Sequence, residues 1–195
     1  MELATRAELP LERHDDVLWS RVQAQDADAL ATLYRRHADA IYNYCFRRLG
    51  DWTAAEDMVS IVFLEAWRRR DAELLPGKVL PWLYGIATNV VRNRRRSERR
   101  YAAALRRLPA DHSTPDPADD TVLRIDDERQ MKRLLAQLPR QEQDVLALCV
   151  WSELSYEDAA LALGVPVGTV RSRLSRARTH LRELDAKTGH SQEEN

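Results

Sequence analysis

The stretch Ser155-Tyr-Glu-Asp-Ala-Ala-Leu-Ala-Leu-Gly-Val-Pro-Val-Gly-Thr-Val-Arg-Ser-Arg-Leu-Ser-Arg-Ala-Arg-Thr-His-Leu-Arg182 admits few folds. Ser155 followed three residues later by Asp158 is the pattern of a helix start. Ala159, Ala160 and Leu163 then share one helical face. Gly164 supplies a left-handed residue that stops this helix. Pro166 suits the first turn of a second helix, where an N–H would have no partner anyway. Val170, Leu174, Ala177 and Leu181 recur at steps of four, three and four, an inward stripe. The other faces carry Arg171, Arg173, Arg176, Arg178 and Arg182, with no acid among them. Cap, turn glycine, core stripe and one-sided charge agree on a helix-turn-helix, whose second helix offers side chains to a DNA major groove. An arginine-rich surface helix is the plain alternative, and it leaves that agreement unexplained.

Composition supports a helical chain. Only 6 glycines occur in 195 residues, too few for a protein built of tight turns and strands. The net charge of −1 is unpromising for a DNA binder, but it conceals a segregation. Residues 92–107 hold eight arginines and one acid, Glu98, whereas residues 111–128 hold seven acids and one base, Arg124. Basic blocks suit phosphate backbones, and an acidic block suits a basic partner. No apolar run reaches the roughly 18 residues of a membrane span. Residues 1–10 contain Glu2, Arg6 and Glu8 and no apolar segment, so no secretory signal is expected. A cytoplasmic protein with no membrane insertion follows. Cys45 and Cys149 stand in apolar helical contexts, with no metal-binding spacing near either. They are expected to be buried free thiols, and no metal or other cofactor is expected.

Along the chain, residues 1–14 are expected to be disordered. A short amphipathic helix carries Val17, Leu18 and Val22, and Asp26 or Asp28 caps a longer one that Gly50 ends. His37 stands alone there and reads as structural. Thr53-Ala-Ala-Glu56 reads as a capping box for the next helix, with Val59, Val62, Phe63 and Ala66 on its apolar face. Glu56 and Asp57 do not form a carboxylate pair for acid–base chemistry, because adjacent helical residues point about 100° apart. The helix with Leu83, Ile86, Ala87, Val90 and Val91 begins apolar and ends almost purely cationic. Residues 109–120 hold three prolines and no periodicity, so they read as an acidic linker. Structure resumes near Thr121, with Val122, Ile125, Met131 and Leu134 among its apolar positions. The expected fold is all-α: a first domain over 15–108, the linker 109–120, a helix-turn-helix domain over 121–184, and a polar tail over 185–195.

Three stretches carry a resemblance to a known family. They are Thr53-Ala-Ala-Glu-Asp-Met-Val-Ser-Ile-Val-Phe-Leu-Glu-Ala-Trp67, Pro81-Trp-Leu-Tyr-Gly-Ile-Ala-Thr-Asn-Val-Val-Arg-Asn-Arg-Arg-Arg96, and Leu138-Pro-Arg-Gln-Glu-Gln-Asp-Val-Leu146 running on through the helix-turn-helix. In this order they resemble the extracytoplasmic-function (ECF) group of bacterial sigma factors, over about residues 15–184. The resemblance implies an alternative sigma factor, not an enzyme, that binds core RNA polymerase and directs initiation at promoter DNA. It implies polymerase contacts at Glu56, Asp57, Val59 and Phe63. It implies −10 contacts at Leu75, Lys78, Trp82, Asn89, Arg92, Arg95 and Arg96, and −35 contacts at Thr169, Arg171, Ser172, Arg173, Ser175 and Arg176. An anti-sigma factor is implied through the family. The linker would thread a basic channel of the polymerase. Ser60 and Ile61 stand where the family usually has glutamine and an acid, which shifts weight onto Glu56, Asp57 and apolar packing.

Two other readings compete. A stand-alone operator-binding regulator would share the helix-turn-helix but leave the basic helix from Arg92 unexplained. A serine recombinase would need an N-terminal α/β domain, and residues 1–100 show no βαβ pattern.

Overall fold

The computed structural model describes residues 14–106 and 135–190, with side chains as far as residue 185. Residues 1–13 of the expected disordered N-terminus lie outside this range. So do the linker 109–120, the start of the second domain at Thr121 and residues 191–195. Every described element is helical: α1 (Asp15–Gln23), α2 (Ala27–Leu49), α3 (Trp52–Arg68), α4 (Val79–Leu105), α5 (Arg140–Leu146) running into a π-helical turn (Ala147–Trp151), α6 (Tyr156–Leu163) and α7 (Val167–His190).

Local chemistry sets most boundaries. The Asp26 carboxylate accepts from the Asp28 and Ala29 N–H groups at 2.9 and 3.1 Å, opening α2. Gly50 closes α2 at φ 73°, donating to the Phe46 carbonyl at 2.7 Å. The start of α3 differs from the expected Thr53 capping box. Asp51 is the cap and accepts from the Ala54 N–H at 3.0 Å. A charged acceptor at the positive end of the helix displaces the threonine into the first turn. At α6 the expectation holds: Ser155 accepts from the Asp158 N–H at 3.0 Å, and Gly164 turns the chain at φ 63°.

In the first domain α2 packs on α3, and α4 lies against both. Leu33, Ile41, Val62, Leu83 and Val91 are fully buried between them. Tyr44 is buried with them, which pushes its hydroxyl up to about 12. That hydroxyl meets Thr88 Oγ1 at 2.8 Å, and Thr88 donates onward to the Tyr84 carbonyl at 2.8 Å. Because threonine has one proton to give, Tyr44 is the donor, and the buried chain is satisfied.

The short α1 is tied on by Asp15, which pairs with Arg36 and meets His37 Nε2 at 2.7 Å. Burial pushes the Asp15 carboxyl up, but hydrogen bonds and charge from His37 and Arg36 outweigh this and hold it below its ordinary 3.8. A depressed carboxylate contributes stability above its unfolded value and loses it as pH falls through the folded one. Acid should therefore loosen α1 below about pH 4. The stability of an Asp15→Asn variant should fall less steeply there in acid titrations followed by circular dichroism.

In the second domain Val170, Leu174 and Ala177 of the predicted stripe are buried at 2% exposure or less, and Leu181 is half-buried. Cys45 is fully buried, and Cys149 is half-buried. Both are free thiols. The two domains do not stand apart. Their apolar residues form one continuous cluster, with α6 laid along α4.

Candidate nucleic-acid interface

The second helix of the helix-turn-helix is α7, and it turns a cationic face outward. Arg171, Ser172, Ser175 and Arg176 are exposed, whereas Thr169 and Arg173 are half-buried. Local contacts orient the face without burying it. Ser172 donates to the Thr169 carbonyl at 3.1 Å, and Arg176 Nε donates to the Ser172 carbonyl at 3.3 Å. The Arg171 guanidinium lies 5.8 Å from the Tyr156 ring centre and 4.0 Å from Glu157. Arg178 and Arg182 line the same shallow groove with Arg171 and Thr179. Sequence reasoning placed these two arginines on the basic face but left them out of the site, although Arg178 lies about one turn beyond Ser175 and Arg182 about one turn beyond Arg178.

The residues of the first domain expected at the −10 element divide into two groups. Asn89 and Arg96 are exposed, and Leu75 is 65% exposed at the tip of the 69–78 loop. Trp82 packs edge-on against Trp19, with ring centres 4.8 Å apart. Lys78, Arg92 and Arg95 were expected to face phosphates, and here they are committed to the second domain. Lys78 Nζ meets Asp158 at 2.7 Å. Arg92 donates through Nε and Nη2 to Asp144 Oδ2 at 3.0 and 2.6 Å, and Arg48 Nη2 donates to Asp144 Oδ1 at 2.5 Å. Arg95 reaches Gln143 Oε1 at 2.9 Å and the Arg48 carbonyl. The cause is complementary charge: Asp144 is 1% exposed and lies among three guanidiniums. Burial, and then the neighbouring Arg48 charge, push the Arg95 guanidinium down. Arg48 Nε is buried with no hydrogen-bond partner.

The outer face of α3 carries Glu56, Asp57 and Ser60, together with Ile61 and Leu64 at 39% and 56% exposure. Val59 and Phe63, expected on a polymerase-docking face, are instead core at 4% and 5% exposure. Phe63 packs edge-on to Tyr34 of α2, with centres 4.9 Å apart. The helical period explains the exchange: 57, 61 and 64 share a side from which 59 and 63 point away. Among the described residues no group of acids, histidines and cysteines could hold a metal ion, and no helix is long and apolar enough to cross a membrane.

Residues 33–101 match the family Sigma-70 region 2, and residues 128–181 match Sigma-70, region 4. The chain is 35% identical over 167 residues to the ECF RNA polymerase sigma factor SigE of Mycolicibacterium smegmatis, covering 83% of this chain and 62% of that protein. It is 30% identical over 175 residues to the ECF RNA polymerase sigma factor SigW of Bacillus subtilis, covering 84% and 92%. It thus spans less than two thirds of the length of SigE and nearly all of SigW. Among solved structures it resembles CnrH in complex with the cytosolic domain of CnrY, at TM-score 0.65 and 26% identity over 88% of this chain and 97% of that one. It also resembles the sigma factor RpoE in complex with the anti-sigma factor NepR from Bartonella quintana, at TM-score 0.60 and 26% identity over 79% and 94%.

Proposed function

Because the chain belongs to the sigma-70 family, in its extracytoplasmic-function group, we propose that it docks on core RNA polymerase through the outer face of α3 and places two separate readers on a promoter. The 69–78 loop and α4 hold unpaired −10 bases, and α7 reads −35 base edges. It is an initiation factor, working by binding and strand opening where polymerase and DNA meet in the cytoplasm. Capturing an unstacked base costs a few kcal/mol, which a fitted pocket and phosphate contacts offset. CnrH and the Bartonella RpoE are each described with a partner, and this chain takes an anti-sigma factor of its own.

The observation that carries this reading is the pairing of an acid-free, outward arginine face on α7 with a second cationic helix in a separate domain. An operator-binding regulator has no use for the second helix. The closed arrangement adds a condition. With Lys78, Arg92 and Arg95 engaged by Asp158, Asp144 and Gln143, the free protein cannot offer these cations to DNA, so polymerase must part the domains. Acids of the second domain thus compete with DNA for these cations.

A run-off assay with core polymerase decides the matter. A sigma factor makes core start at a promoter, and a repressor does not. Asp57→Ala should lower polymerase-dependent binding and leave weak direct DNA binding intact. Changing Arg171 or Arg176 to Ala should cost about 1–3 kcal/mol at particular −35 bases. Equal loss on all sequences would restrict these arginines to phosphate contacts.

A further inference from the structure

A pocket of about 220 Å³ lies where the end of α2 meets α4 and the second domain. Arg47, Arg48 and Arg95 line it from the first domain, and Leu135, Gln143 and Trp151 from the second. Among the described residues no acid lines it.

Charge is out of balance here. Arg47, Arg48, Arg92 and Arg95 bring four positive charges. Asp144 answers with one carboxylate, already shared by Arg48 and Arg92. Arg95 bonds only to neutral acceptors, Gln143 Oε1 at 2.9 Å and the Arg48 carbonyl. Arg48 lines the pocket, is 5% exposed, and keeps a buried Nε–H without an acceptor. Two further acids leave the excess standing. Glu98 is taken by Arg94 at 2.6 Å, and Glu153 lines a separate cavity of about 230 Å³. The C-terminus of α2 adds only about half a negative charge, and Arg95 covers part of it by donating to the Arg48 carbonyl.

The second domain supplies the opposite wall. The helix after α5 widens into its π turn at Ala147–Trp151, and the chain leaves through Glu153 at φ 55°. That left-handed conformation is strained for a residue other than glycine, and it persists where surrounding contacts impose it. The turn packs on α2 and sets Trp151 between the two cavities, lining both.

We propose that this pocket binds a phosphate group, free or at the end of a polyphosphate, and that the bound anion clamps the two domains together. Guanidinium forks donate to phosphate oxygens in pairs, and a phosphate would supply the acceptors and the negative charge that Asp144 alone cannot. Because both domains build the walls, the site exists only in the closed arrangement, and the ligand stabilises that arrangement by mass action. On the promoter reading given above, it also keeps Lys78 and Arg92 from DNA. The site itself does not depend on that reading.

The full chain is titrated by calorimetry with inorganic phosphate, pyrophosphate and ATP in turn, at an ionic strength held constant with potassium chloride. One saturable site is expected. Arg47 is exposed, so Arg47→Ala should fold, and it should weaken binding about tenfold through loss of one charge-assisted contact. Arg68→Ala, on α3 outside the pocket, should bind as the wild type does. Binding of inorganic phosphate assigns the free ion; binding of pyrophosphate and ATP alone assigns a polyphosphate. Hydrogen exchange then reads the clamp without DNA. A ligand confined to the closed form and present at about ten times its dissociation constant raises the closed-to-open ratio about elevenfold. The amides of α6, which lies on α4, should slow by up to that factor in the wild type and by about twofold in Arg47→Ala at the same concentration. No saturable binding by any of the three, or equal losses in Arg47→Ala and Arg68→Ala, would leave an adventitious ion only and overturn the proposal. Saturable binding with α6 exchange unchanged would overturn the clamp. A chain that binds phosphate, slows α6 exchange and yet starts no transcription with core polymerase would sink the promoter reading and leave this site standing.

Discussion

Asp144→Ala is expected to open the molecule. Asp144 is 1% exposed and serves two guanidiniums, those of Arg48 and Arg92, with Arg95 beside them. Removing the acid that Arg48 meets among the described residues leaves it, at 5% exposure, charged next to like charges. Breaking a buried pair from one side costs about 3–5 kcal/mol. The arginines recover hydration if the domains part, so the loss falls on the closed arrangement rather than on either domain. At about 1.4 kcal/mol per decade this shifts the closed-to-open ratio by roughly two to three and a half decades. The measurement is energy transfer between dyes at exposed Ala31 of α2 and Glu183 of α7. Direct promoter affinity at fixed salt should rise with the distance, since Lys78, Arg92 and Arg95 become free for phosphates. The triple variant Arg48→Met/Arg92→Met/Asp144→Leu is the control. Replacing a buried ion pair or triad as a unit by apolar side chains is often neutral or stabilising, so this variant, which keeps Arg95 on Gln143, should stay closed. A closed Asp144→Ala would show that apolar packing alone holds the domains.

The sequence made some of this legible and hid the rest for identifiable reasons. The helix-turn-helix could be read because Ser155, Gly164 and the Val170 stripe are local signals, each acting within one or two turns. Of the four α3 residues assigned to polymerase contact, Glu56 and Asp57 are exposed and Val59 and Phe63 are not, because the apolar stripe is wide and both of its edges carry large residues. Val59 and Phe63 lie inward, and Ile61 and Leu64 outward. The interdomain contact could not be read at all. Glu142, Gln143 and Asp144 are consecutive polar residues at the start of a helix, a pattern of exposure, and all three are buried. Their partners are on other elements: His180 for Glu142 at 2.7 Å, and Arg95 and Arg48 for the other two. A burial satisfied 38 to 96 residues away leaves no mark on local periodicity. The segregation of charge pointed to an acidic partner for the arginines; the linker it named lies outside the described residues, among which Asp144 meets Arg92 and Asp158 meets Lys78.

Gly85→Ala is the sharper test of the closed state, because it carries no charge and its two effects have opposite signs. Gly85 lies inside α4 and is buried where α6 crosses. A Cβ there would stand 2.7 Å from the Ala162 carbonyl oxygen and 3.3 Å from its Cα. Both are backbone atoms in the last turn of α6, so neither can swing aside as a side-chain end would. Overpacking of this kind costs about 1–3 kcal/mol, and it falls only on the arrangement in which α6 touches α4. Within α4 alone the same change replaces the weakest ordinary helix former by the strongest, a gain of about 1 kcal/mol. Hydrogen exchange on the full chain should therefore show α4 amides as protected as before or more so, while α6 amides exchange faster and the dye distance increases. A general destabiliser would loosen both helices. Combining Gly85→Ala with Asp144→Ala should give less than the sum of the two effects, since the second change acts on a contact the first has already loosened. Because Gly85→Ala leaves every arginine in place, it should also raise direct promoter affinity without neutralising the Asp144 partners. If α6 exchange and the dye distance stay at wild-type values while α4 is protected, the domains tolerate the added methyl, and close helix crossing at Gly85 is not what holds them together.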